Sequence, residues 1–293
     1  MDDCFFNDDT KLRIEKMSKL NPENHDFVKY TLQRHLVKSE YNIESIIEKL
    51  WQRFRRYADK DFKHNMLLDK QCFLERFWEM YCGVGLLNVG IKIDSLNNHG
   101  PDFYVGEWWN KKYYIECNAP GVGDEKKADT LPKLEVGSSS LPSDQFQLRL
   151  TFGLKEKLEK YRNYLQKGVV NDSDCLIIAI SNIKLSQYGS LMDYPITVID
   201  KVLFGIHNPV INLETSNMYL SKRCSISKSN NSKVQVNLFS DEKYRIISGV
   251  IYSNIDILNL NYPENPEKTF IFRENPNANN KISGEFLQYM QVL

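Results

Sequence analysis

The chain has 293 residues, 42% hydrophobic and 26% charged, the make-up of a protein that buries its own core, which excludes general disorder. Lys plus Arg and Asp plus Glu stand at 38 each, so any attraction for nucleic acid has to come from local segregation of charge. No apolar run is long enough to span a membrane, the acidic opening MDDCFFNDD has no secretory character, and the six cysteines lack CxxC spacing. The expectation is a cytoplasmic protein with reduced thiols, or one exported without a cleaved signal, that does not enter a membrane.

In chain order, residues 1–65 read as a helical region, broken at Asn21-Pro22. The stretch HDFVKYTLQRHLVK places Phe27, Val28, Leu32 and Leu36 at helical spacing, and IIEKLWQRFRRYADKDF does the same with Ile46, Ile47, Leu50, Phe54 and Tyr57. The second carries Arg53, Arg55, Arg56, Lys60 and Lys63 on its other side, a basic face for solvent or for phosphates. Residues 66–190 form the next unit. It opens with the helix DKQCFLERFWEMYCGVGLLNVG, in which Phe73, Leu74, Phe77, Trp78 and Tyr81 share one side and Glu75 and Glu79 the other.

The period then changes to two, predicting short strands around Ile91 and Ile93, around Phe103 and Val105, and over KKYYIECNA. Residues 120–143, rich in Gly, Pro, Ser and charge, read as a long loop in which Asp124 and Asp129 are solvated. A helix follows from Ser143 to Gly168, with Ser143 or Asp144 as its N-cap, and CLIIAIS at 175–181 reads as a strand buried on both faces. Residues 191–293 read as a β-rich extension packed on the same core, with PITVIDKVLFG, VQVNLF and YRIISGVIYS as strands and SKRCSISKSNNSKVQ as an insertion. The fold class is therefore α/β (α+β), a mixed sheet flanked by helices.

Chemistry concentrates in GPDFYVGEWWNKKYYIECNAP, residues 100–120. Asp102 opens one predicted strand and Glu116 lies near the end of the next, so a hairpin brings both carboxylates to one sheet edge, where they suit a hydrated Mg²⁺ or Mn²⁺. Other chemistries lack their patterns. The five histidines show no HExxH or Cys/His zinc spacing, with His99 noted only for its place before the motif, and GVGDEKK is not a phosphate loop. No GxSxG is present.

Pro101-Asp102 and Glu116-Cys117-Asn118 resemble the active-site motif of the PD-(D/E)xK, or restriction-endonuclease-like, phosphodiesterases, and the predicted order of helix, strands, helix and buried strand resembles that family's core. The resemblance implies a metal-dependent nuclease acting on DNA, with Asp102, Glu116, the carbonyl of Cys117 and, from the preceding helix, Glu79 as metal ligands. Asn118 stands where the family has lysine and carries no charge, so Arg149 or a lysine of the same helix, on the face shared by Arg149, Glu156 and Lys160, is expected to reach the phosphate. Some members with such a change cleave and others have lost cleavage. Two readings therefore stay open, a Mg²⁺-dependent DNA endonuclease and a silent nuclease-like module that binds nucleic acid or protein. The abundance of Asn, Lys and Ser adds an effector of a host-associated bacterium as a further role.

Overall fold

The computed structural model describes residues 4–20, 43–96, 100–124, 127, 129–132, 140–188, 190–256 and 269–293. The expected helix at 25–38 and His99 lie outside these residues. Seven helices and one five-stranded sheet organise the described chain. Helices α1 (Asp8–Leu20), α2 (Ile43–Phe54), α3 (Phe62–Met66) and α4 (Lys70–Asn88) come first, followed by the hairpin β1 (Phe103–Trp108) and β2 (Lys111–Asn118). Trp109 and Asn110, both at positive φ, make the two-residue turn whose twist suits such a hairpin. Then come α5 (Ser143–Gln166) and β3 (Cys175–Ser181).

The later elements are α6 (Val198–Phe204), β4 (Ile206–Ile211), β5 (Met218–Lys222), β6 (Ser225–Ser227), β7 (Lys233–Gln235), β8 (Ile247–Ser253), β9 (Ile271–Glu274) and α7 (Gly284–Val292). The main sheet has the order β1-β2-β3-β8-β9, with β2, β3 and β8 mutually parallel and the outer strands antiparallel. Parallel neighbours require a crossover, which α5 supplies between β2 and β3.

Alternation along the inner strands divides the core in two. Tyr113, Ile115, Cys117, Ile177 and Ala179 face α2, α4 and α7, whereas Tyr114, Leu176, Ile178 and Ile180 face α5 and α6. Burial on both faces explains why CLIIAIS lacks polar alternation. Asp69 caps α4 by accepting from the Cys72 amide at 2.8 Å, and the Trp78 indole donates to the Ala179 carbonyl, fastening that helix across β3.

Several expectations are corrected. PITVIDKVLFG is not a strand throughout but contains α6, started by the Thr197 side chain accepting from Asp200 N and stopped by Gly205 at φ 63°. Val198, Ile199, Val202 and Leu203 are spaced for a helix, and the two caps outweigh their β-branched character. VQVNLF and YRIISGVIYS are strands only in part, turning into 3-10 helices at Leu238–Ser240 and Glu242–Ile246. The segment expected as an insertion pairs as a β6-β7 hairpin through Ile226 and Val234. Around Ile91 and Ile93 there is an isolated bridge, Asp94 to Tyr104, rather than a strand. Helix α5 begins after Pro142 without a side-chain cap, and Asp144 instead pairs with Arg223 at 2.7 and 2.8 Å.

Candidate active site at the end of the β1-β2 hairpin

Helix α5 runs antiparallel to β2, and this direction sets every partner across the gap between them. The Arg149 guanidinium meets the Gly121 carbonyl at 2.7 Å, the Gly153 carbonyl accepts from Asn118 Nδ2 at 2.8 Å, and Tyr161 OH reaches the Tyr114 carbonyl at 3.2 Å. Lys157 and Lys160 fall between these rungs, opposite Glu116. On the other side of the hairpin, Asp102 Oδ2 accepts from the Cys117 amide at 2.7 Å, which holds the PD aspartate against the ExN strand. Helix α4 brings Glu79 and Arg76, linked at 2.7 Å. Between the helices lies a cavity of about 310 Å³ whose walls include Arg76, Glu79, Asp102, Cys117, Lys157 and Lys160.

Glu116 is fully buried. Lys160 Nζ contacts its Oε1 directly, Lys157 Nζ stands 3.7 Å away, and the Tyr164 hydroxyl also interacts with this carboxylate. A buried carboxylate so placed disfavours its charge. Burial and then the nearby Asp102 charge raise Glu116 to about 7, against the pull of Lys157 and Lys160. Burial and Asp102 likewise raise Glu79 to about 8, with Arg76 opposing. Burial works against the charge of Lys160, but Glu116, Asp102 and Glu79 outweigh it and the ammonium is held more firmly than usual. Asp102 thus repels both Glu116 and Glu79, and the cations around them relieve the repulsion only in part.

Sequence reasoning placed Asp102, Glu116, Cys117 and Glu79 at one site; in the fold Asp102, Cys117 and Glu79 line this cavity, and Glu116 is an electrostatic neighbour of Asp102. Asn118 lies beside Glu116 on the α5 face but is buried and donates to the Gly153 carbonyl. Arg149 takes other partners. Its NH1 pairs with Asp129 at 3.2 Å, it stacks on Phe152, and it does not line the cavity. Arg149 and Lys160 share a helix face, but eleven residues separate them along the axis, about 16 Å at the α-helical rise. Asp129, expected to be solvated, is buried against Arg149, with Lys228 at 3.9 Å. The sequence reading missed Arg76, three residues before Glu79 on the same helix face, and Lys184, which pairs with Glu75 at 2.9 Å. Spacing carried a signal for Arg76; nothing local carried one for Lys184, 109 residues from Glu75.

Among the described residues no three His, Cys, Asp or Glu side chains converge closely enough to form a metal cage. The donor set instead suits a hard, hydrated cation such as Mg²⁺, which needs only one or two carboxylates and keeps several waters. The burial of Glu116 and the repulsion from Asp102, which Lys157 and Lys160 do not cancel, fit such an ion. Among the described residues no helix is long and apolar enough to cross a membrane. No protein-family profile, curated protein or solved structure matches the chain.

Proposed function

We propose that the chain is a Mg²⁺- or Mn²⁺-dependent phosphodiesterase of the PD-(D/E)xK type that cleaves DNA, with Lys160 in the role of the motif lysine. The observation that carries the reading is Glu116, fully buried next to Asp102 and in direct contact with Lys160. The restriction-endonuclease-like core is supported by the order of α4, the β1-β2 hairpin, α5 and the parallel strand β3.

Asp102 and Glu116 would hold the ion, with the Cys117 carbonyl and Glu79 as further oxygen donors. When bound, the ion would lower the pKa of a water and offset charge developing on the phosphate. Asp102 is kept in place by the Cys117 amide, and Arg76 anchors Glu79. Lys160, freed from Glu116 once that carboxylate has another partner, donates to a non-bridging phosphate oxygen and orients the attacking water, the work Asn118 cannot do. Lys157, partly buried, keeps a second positive charge beside the site.

The test is cleavage of supercoiled plasmid and of single-stranded DNA with Mg²⁺, Mn²⁺ or EDTA. The expected result is nicking with either metal, none in EDTA, and loss of nicking in D102N, E116Q and K160M. Absence of cleavage under every condition overturns the enzymatic reading. A second reading, a silent nuclease-like module that binds nucleic acid or protein, is favoured by one observation. Asn118 is tied to the helix backbone and Lys160 already answers Glu116, so the polar groups are largely matched without a metal. Retained DNA binding without nicking would select it.

A further inference from the structure

A second groove, of about 400 Å³, lies along the opposite edge of α5, between that helix and the segment from β7 to the 3-10 helix at Glu242–Ile246. Its floor is apolar, with Leu158 and Tyr244 buried in it. Its rim carries Lys155 and Arg162 from the helix and Lys233 and Lys243 from the facing segment. Arg162 is matched, since its NH1 holds Glu159 at 2.7 Å. The three lysines make no ion pair among the described residues. The remaining acid of the groove, Asp241, accepts from the Lys243 backbone amide. Three exposed ammonium groups without an ion pair among the described residues therefore line one concave surface from two elements, where four cations stand against two acids and an anion meets net positive charge.

The geometry points to this groove as a site for phosphate groups, with the lysines on the phosphates and the apolar floor under the less polar part of a nucleotide. It stands independently of chemistry at Glu116, from which α5 separates it. The phosphates come either from a nucleic-acid backbone crossing α5 or from a free nucleotide; the volume lies within the range of small-ligand clefts.

The test measures binding in EDTA, so that cleavage plays no part. A fluorescently labelled single-stranded oligonucleotide, its duplex, adenosine triphosphate and inorganic tripolyphosphate are titrated against the full chain, the triple variant K155Q/K233Q/K243Q, and a charge-matched control, K11Q/K167Q/K222Q. The expected result is binding that weakens at least tenfold in the first variant and less than twofold in the control. A backbone ligand shows as oligonucleotide binding whose salt dependence flattens by about 2 in log-log slope, from three lost phosphate contacts at roughly 0.7 to 0.9 each. A free nucleotide shows as triphosphate binding lost in the variant while the oligonucleotide fails to bind. Equal weakening in both variants, unchanged affinity in the groove variant, or no binding of any of the four probes overturns the proposal. Circular dichroism and Tm establish that the variants are folded, and the substituted groove lysines are all solvent-exposed.

Discussion

Helix α5 holds two buried acid-base pairs that look alike in sequence and differ in the fold. Arg149 and Asp129 are both largely buried, and the guanidinium uses further donors on the Gly121 carbonyl. Glu116 and Lys160 are also in contact, but the carboxylate is fully buried, the ammonium is partly exposed, and a second acid, Asp102, stands close enough to raise Glu116 further. The first pair is completed by the protein and fastens the loop at Gly121 to the helix. The second is crowded by Asp102, and its lysine opens on a cavity that Asp102 also lines. A buried pair without a rival charge holds structure, whereas one crowded by a second acid beside a cavity marks a place where a cation can relieve what the protein does not.

The largest effect expected from breaking this contrast is on cleavage. E116Q should lower the rate by at least about a thousandfold, roughly 4 kcal/mol of transition-state stabilisation, while R149M leaves the rate per folded molecule within about threefold. If the single-turnover rates of these two variants fall together, the pairs are not functionally distinct. Stability should reverse the order. R149M abandons a buried Asp129 and should cost about 3 kcal/mol in urea denaturation, the usual scale for an orphaned buried charge. A loss under about 1 kcal/mol would show that Lys228 suffices.

A pH series sharpens the comparison. Glu116 rises from an ordinary 4.5 to about 7 on folding, so between those values the folded chain holds more protons than the unfolded one. Metal-free stability should therefore be fully present below about pH 4.5, fall as the pH climbs toward 7, and level off above, with Glu79 extending the decline to about 8. Replacing Glu116 with Gln should remove much of the slope, worth up to about 3 kcal/mol across the window. Parallel curves for wild type and variant would refute the assigned burial cost. The smallest effect belongs to the half-exposed Arg223-Asp144 pair, where R223A should cost about 0.5 kcal/mol despite its two short bonds, because solvent screens it. Thermal unfolding at low and high salt measures it.

The elements that rest on strong periodicity were legible in the sequence. The α4 stripe of Phe73, Leu74, Phe77, Trp78 and Tyr81, the long helix α5 and the strand CLIIAIS all stand where their spacing placed them. Asp102 and Glu116 could be associated because a hairpin is a local structure. The later helix α6 was obscured by Val and Ile, whose strand preference gave way to caps at Thr197 and Gly205. The roles of Lys160 and Arg149 were not legible either. Helical phase gives the side of a helix, but the axial match of α5 to β2 is set by tertiary packing, through rungs such as Tyr161 to Tyr114.

The rung at Gly153 also bears on what position 118 tolerates. A methyl group there would come within 2.9 Å of Asn118 Nδ2 and 3.2 Å of Pro120, so the helix has no room for a side chain where it faces Asn118. A lysine at 118 would lose the amide that donates to the Gly153 carbonyl and put an ammonium at a buried position. N118K should therefore lower Tm. The missing side chain at Gly153 and the short amide at Asn118 work as one fitted seam, so a larger group on either side alone should loosen the helix from the strand.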